Sequence, residues 1–286
     1  MNVSHKEWKE YIPNDFINGV ISDWQEKQPE RIQTVASPST LLECPRVVWL
    51  KKHAVKPLHE LGWGKKQRFL LGRQLENMIA GQLKDEGKLL YHWKDDFMGE
   101  SVKFKHGKDL DRLEGTPDLL IQMGECAVIS DSKTSRSDSF AYVATDPLQI
   151  WQDPYWYRYK LQVTAYYMLS YWCAQWFDLM NLPLPEKCNL FSYALDDGIV
   201  RRNITWLPAQ HDINEVKRLT KRWNEAYASE EMPDCHCIED GQVIFCQYGR
   251  MENGKKIVTE CCDDNLINEV KIDSVEITKS TEKEKV

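Results

Sequence analysis

No stretch of this 286-residue chain stays apolar over the roughly 18–20 positions needed to cross a bilayer. The opening run, MNVSHKEWKE, also lacks the apolar core of a secretory signal, so the expected address is cytoplasmic. Basic charge is in deficit: 37 Lys and Arg face 44 Asp and Glu, for a net −7 with His neutral. That balance argues against a general nucleic-acid coat protein, although basic stripes survive inside a negative total. No internal repeat is visible. What is present bounds the rest. A 42% hydrophobic fraction with eleven Trp excludes a wholly disordered chain. The length suits one large α/β domain or two modest ones. Nine Cys in a chain with no export signal point to metal or redox chemistry more than to disulfides.

Residues 1–36 are polar with scattered aromatics (Trp8, Tyr11, Phe16, Trp24) and form an expected helical or loop extension. Ser37-Pro38-Ser39-Thr40 offers an N-cap with Pro just inside, predicting a helix through Leu41, Leu42, Val47, Val48 and Trp49. Phe69, Leu71, Leu75, Met78, Ile79 and Leu83 approximate a 3.6-residue period, predicting a helix over about 65–83. Weak strand character runs over 89–106. Strands at 119–121 and 126–131 flank a tight turn and read as a hairpin. Residues 134–154, rich in Ser, Asp and Pro, predict a long surface loop. One long aromatic-rich helix is expected over 155–179, and a strand pair over 188–206 turning at Asp196-Asp197-Gly198. A basic amphipathic helix follows near 211–228. The segment 251–286 is expected to be a hairpin and a flexible tail, fraying from about Lys271.

The hairpin carries the chemistry. Pro117-Asp118 precedes its first strand and Asp131-Ser132-Lys133 ends the second, thirteen positions after Asp118. Side chains alternate along a strand, so Asp131 and Lys133 share a face and Ser132 points away. Antiparallel pairing returns Asp118 to the side of Asp131. Two carboxylates and one ammonium then meet at one sheet end. Hard oxygen donors of this kind suit Mg²⁺ or Mn²⁺, and a neighbouring Lys can orient water or stabilise developing phosphorane charge. Asp-x-Lys alone is commonly a solvated strand end, and Tyr166 alone an ordinary core aromatic; order and spacing together favour the site.

Pro117-Asp118 followed by Asp131-Ser132-Lys133 resembles the signature of the PD-(D/E)XK nuclease superfamily. Gln162-Val163-Thr164-Ala165-Tyr166 is similar to the QxxxY helix motif of its RecB-like exonuclease branch, and Gly72-Arg73-Gln74-Leu75-Glu76 falls where that branch carries Gly and then a metal-binding His. Glu76 stands in place of that His. The resemblance covers roughly residues 37–250. It implies an α/β, restriction-endonuclease-like core: a mixed central β-sheet flanked by helices. It implies a Mg²⁺- or Mn²⁺-dependent deoxyribonuclease, an exonuclease on single-stranded DNA or DNA ends, serving recombination, repair or phage DNA processing. Asp118, Asp131 and Glu76, with the Ser132 carbonyl, would hold the ion, Lys133 would position water, and Gln162 with Tyr166 would hold the strand. Bacterial or phage origin is expected with it, as are protein partners in a recombination, replication or CRISPR complex, and no membrane.

The same branch includes members, the CRISPR-associated exonucleases among them, with an iron–sulfur cluster held by one N-terminal and three C-terminal Cys. The segment from Ser39 to Arg46 around Cys44 resembles their first-Cys segment. This implies a [4Fe–4S] cluster on Cys44, Cys235, Cys237 and Cys246, with Zn²⁺ as the alternative metal. Cys261-Cys262 and His236 compete for individual ligand positions. Cys126, Cys173 and Cys188 lie on apolar segments and are expected in the core.

Basic residues are clustered. Lys51, Lys52, Lys56, Lys65, Lys66, Arg68 and Arg73 crowd the stretch before Glu76, making Arg68 and Arg73 candidate DNA contacts. Arg201-Arg202 is another pair. Lys217, Arg218, Lys221 and Arg222 recur at helical spacing, either as a phosphate stripe or as a solvated face. Trp151, Tyr155, Trp156, Tyr157 and Tyr159 suit base stacking and core packing about equally. Two rivals stand beside the nuclease: a non-catalytic nucleic-acid-binding subunit that keeps the fold, and a metal-stapled interaction protein.

Overall fold

A computed structural model describes residues 33–55, 63–93, 102–135, 147–194, 200–234, 251–252 and 255–256. In chain order these hold α1 (Pro45–Lys52), α2 (Trp63–Asp85), β1 (Leu89–His92), β2 (Phe104–His106), β3 (Leu113–Gly115), β4 (Leu119–Met123) and β5 (Cys126–Ser135). Then come α3 (Pro147–Ile150), α4 (Pro154–Trp172), α5 (Ala174–Leu179), β6 (Lys187–Ala194), β7 (Val200–Trp206), α6 (Gln210–Ala228), β8 (Met251–Glu252) and β9 (Lys255–Lys256). The described core belongs to a unit spanning Thr34–Val286.

The architecture is mixed α/β. A five-stranded sheet runs β1-β4-β5-β6-β7, mostly antiparallel, with β5 and β6 parallel. Parallel neighbours need a crossover, supplied here by α3, α4 and α5. The two-residue pleat sorts each strand to two faces. Leu119, Ile121, Val128, Phe191 and Tyr193 pack with Ile79 and Ala80 of α2 on one face. Leu120, Ala127, Ile129, Cys188, Leu190 and Ile204 pack on the other with α4 and with Val216, Leu219, Trp223 and Ala226 of α6. Gly72 marks a close helix–strand approach: a Cβ there would lie 2.9 Å from Thr134 Oγ1 of β5.

Three expectations meet a different structure. The first helix begins at Pro45 with Cys44 at its N-cap, whereas 37–43 forms successive turns, Thr40 N–H to Ser37 O and Glu43 N–H to Thr40 O, both 2.9 Å. The residue before a proline avoids the helical region, and Cys44 sits extended at φ −58°, ψ 134°. Secondly, the single helix over 155–179 is two, broken at Cys173 (φ −105°, ψ 28°). The break turns Trp176 and Phe177 into a cluster with Tyr91, Trp93 and Phe104, with ring centroids 5.2–6.1 Å apart. Burial of Phe177 outweighs the lost helical bonds. Finally, of the three Cys expected in the core only Cys188 is fully buried; Cys126 after the hairpin turn and Cys173 at the helix break pack against the core from its edge and are partly exposed. The turn at 196–198 lies outside the described residues.

Asn224 of α6 ties three distant backbone groups. Its Oδ1 accepts from the Ala36 N–H at 3.0 Å, and its Nδ2 donates to the carbonyls of Leu110 and Arg112 at 2.9 and 2.7 Å. Beside it, Glu114 of β3 is buried between Arg112, whose Nε donates at 2.9 Å, and Lys103, 2.6 Å away. Burial pushes the Glu114 carboxyl up, but the hydrogen bonds and charges of Lys103 and Arg112 outweigh it and leave the pKa below the ordinary 4.5. A group depressed on folding stabilises above its unfolded pKa and loses that contribution as pH falls through the folded value. Glu114→Gln is therefore expected to be less stable than wild type at pH 7, with the gap closing below about pH 4.5, in urea unfolding at several pH values. A gap independent of pH would refute it.

Candidate active site

Asp118 enters β4 with its main chain held by the Trp93 N–H, 3.1 Å from the Asp118 carbonyl. Its side chain is buried, and Oδ2 accepts the Ser132 N–H at 3.2 Å. Ser132 is the residue between Asp131 and Lys133, so the carboxylate of one strand caps the middle of the motif on the next. Asp131 follows Ala127 and Ile129 by the pleat and faces α4. It is 1% exposed, pairs with the Lys133 ammonium, and accepts from Gln162 Nε2 at 3.2 Å. Lys133 lies with its Nζ 5.3 Å from the centre of the Tyr159 ring. Asp118, Ser132, Asp131, Lys133 and Gln162 thus form one connected cluster at the sheet end.

Tyr166 sits one turn beyond Gln162 and is buried against β3, where a Cβ on Gly115 would come within 3.0 Å of its Cε1. Gln162 spends a donor on Asp131, and Tyr166 is a core residue of the same helix face. Glu76 is buried on α2 with Oε1 3.5 Å from His92 Nε2 of β1. Arg73 lies on α2 and is exposed; the Arg68 side chain lies outside the described part. Cys44 is buried at the start of α1. Cys235, Cys237, Cys246, His236, Cys261 and Cys262 lie outside the described residues, as does Tyr155 beyond its backbone. Arg46 Nε of α1 donates to the Pro233 carbonyl at 3.0 Å, and Lys52 Nζ to that of Ser229 at 3.1 Å.

The basic helix α6 turns Lys217, Arg218 and Lys221 to solvent, where Arg218 pairs with Glu215 at 2.7 Å and Lys221 with Glu225 at 3.8 Å. Among the aromatics before Gln162, Trp156 is buried, while Trp151 and Tyr157 pack against the core cluster. Among the described residues, no three His, Cys, Asp or Glu side chains stand together in a group that would hold a metal ion. The Asp118 and Asp131 carboxylates nevertheless suit Mg²⁺, which takes one or two protein carboxylates and keeps several waters. Two neighbours of these residues, His92 beside Glu76 and Tyr159 beside Lys133, carry no place in the motifs. His92 has no spacing signal in its short strand. Tyr159, which the sequence offers for base stacking or core packing, lies three residues before Gln162 on one helical face.

No family model and no curated protein matches the chain. Among solved structures, the crystal structure of SSO0001 aligns at 16% identity over 86% of this chain and 98% of its own length, with a TM-score of 0.45.

Proposed function

We propose that the chain is a metal-dependent DNA nuclease of the PD-(D/E)XK type, acting on single strands or DNA ends. The observation that carries the reading is the meeting of buried Asp118 and Asp131 with half-buried Lys133 across Ser132, braced by Gln162. A bare solvated strand end would not sequester two carboxylates with a lysine. Asp118 and Asp131 would hold a Mg²⁺ or Mn²⁺ ion, which supplies Lewis-acid stabilisation of the phosphodiester when bound. Lys133 would orient the attacking water or stabilise the charge that develops on the phosphorane. Gln162 keeps the Asp131 carboxylate in its rotamer. Cys44, with Cys235, Cys237 and Cys246, would hold a [4Fe–4S] cluster or Zn²⁺. The Arg46–Pro233 hydrogen bond supports this, because it joins the segment beside Cys44 to the one leading into Cys235. Visible absorption of the anaerobic protein separates iron–sulfur from colourless zinc.

The test is cleavage of end-labelled and circular single-stranded DNA with Mn²⁺ by wild type and Lys133→Ala. Wild type is expected to cut, to stop on chelation, and to lose about 100-fold or more of its rate in the variant. Undiminished cleavage by Lys133→Ala overturns the mechanism. DNA binding without any metal-dependent cleavage points instead to a non-catalytic subunit of a DNA-processing complex.

A further inference from the structure

We propose that Tyr159 is a positioning residue for Lys133, so that a single face of α4 holds both ends of the Asp131–Lys133 pair. The inference rests on the nuclease reading and deepens it. Lysine carries its charge on a flexible four-carbon stem, and a point charge beside Asp131 can swing about the carboxylate with little penalty. A directional restraint is needed to keep the ammonium in one place. The Tyr159 ring supplies it, with Lys133 Nζ 5.3 Å from its centroid, a distance at which the ring's negative face attracts a cation.

Helical spacing joins this contact to the rest of the site. Tyr159 precedes Gln162 by three residues, and Gln162 Nε2 donates to Asp131 Oδ1 at 3.2 Å. One turn of α4 therefore grips the carboxylate through an amide and the ammonium through a ring. The ring is itself braced. Trp156 meets it edge-on at 6.1 Å, and the Arg158 guanidinium lies 5.4 Å from its centre. The sequence motif Gln162-x-x-x-Tyr166 is thus the C-terminal part of a longer stripe that begins at Tyr159.

The experiment compares wild type, Tyr159→Phe, Tyr159→Met and Lys133→Ala as full chains, on labelled single-stranded DNA with Mn²⁺. Tyr159→Phe keeps the ring and is expected to stay within about twofold of wild type in kcat. Tyr159→Met keeps apolar volume without the ring and is expected to lose about tenfold in kcat with KM little changed. In the Lys133→Ala background the same Met substitution should cost nothing further. A readout independent of cleavage is the NMR resonance of the Lys133 ε-methylene, expected to be shifted upfield by the ring in wild type and Tyr159→Phe and to lose that shift in Tyr159→Met. An unshifted resonance in wild type, an undiminished kcat in Tyr159→Met, an equal loss in Tyr159→Phe, or additive losses with Lys133→Ala would each overturn the role of Tyr159. An inert wild type whose Lys133 resonance is still ring-shifted would overturn the nuclease reading and leave the positioning contact standing.

Discussion

Asp131→Asn is expected to reduce metal-dependent DNA cleavage by roughly 10³-fold or more while leaving the fold intact. The substitution keeps the volume of a side chain that is 1% exposed, so no cavity opens. Its oxygen can still accept from Gln162 Nε2. What it removes is charge. The second carboxylate proposed for a divalent ion becomes a neutral amide, and the Lys133 ammonium faces an NH₂ group in place of its counter-ion. Lys133 then loses the electrostatic partner that keeps it at the strand end, so two functions fail through one atom. The measurement is initial rate over a Mg²⁺ and Mn²⁺ series, beside circular dichroism and thermal unfolding. Activity within tenfold of wild type at saturating metal would remove Asp131 from the mechanism.

Asp212→Ala is expected to destabilise the protein by roughly 3–5 kcal/mol, because it strands a buried ammonium. Asp212 is fully buried at the start of α6, where Oδ2 lies 2.8 Å from Lys160 Nζ and accepts the Ala209 N–H at 3.3 Å. Its Oδ1 accepts from Lys160 at 3.0 Å and from the Tyr157 hydroxyl at 3.4 Å, with His211 Nε2 at 3.1 Å. Burial first, then the charge of Asp212, pushes the Tyr157 hydroxyl up to about 12, so it stays a donor throughout the working range. Alanine removes the acceptor that Asp212, at the third position of α6, offers the backbone N–H of the N-cap Ala209, and leaves Lys160, itself nearly buried, without its counter-charge. Domains of ordinary stability hold only about 5–15 kcal/mol, so the loss is a large share. The double change Asp212→Ala with Lys160→Met should recover at least half of it, since an apolar isostere needs no partner. Urea unfolding checks both. A double variant no better than Asp212→Ala would mean that the cap, and not the stranded charge, sets the loss. Lys160 follows Tyr159 and precedes Gln162 by two, so this ion pair pins α4 from behind the face that bears on Asp131.

Local patterns made part of this legible. Alternation in a short hairpin was enough to bring Asp118, Asp131 and Lys133 together, because the tight turn at Gly124 leaves one register for the strands. Periodicity was enough for α2 and α6, whose apolar residues recur on one face. The long helix before residue 179 was illegible as two because its break comes from the Trp93–Phe104–Phe177 cluster, a contact among three distant segments. The start of α1 misled for a local reason: Ser37-Pro38 and Cys44-Pro45 are both acceptable helix openings, and only the second proline begins the helix. His92 beside Glu76 depends on β1 lying next to β4, which no spacing announces.

The Asn224 contacts have a consequence for how the chain is made. Ala36 and Asn224 are separated by 188 positions, and Arg46 and Pro233 by 187. At ordinary synthesis rates, roughly 10–40 s elapse between the emergence of the first partner and the second. During that interval Ala36 can already bridge to Leu113 of β3, but α1 lacks α6, the helix it packs against, and its apolar side chains Val48 and Leu50 lack that cover. The sheet can condense around β4 and β5 in the meantime, but α1 is covered only once α6 has emerged. Synthesis that pauses before α6 would leave a nearly complete core with an open flank, the form most exposed to proteases and chaperones.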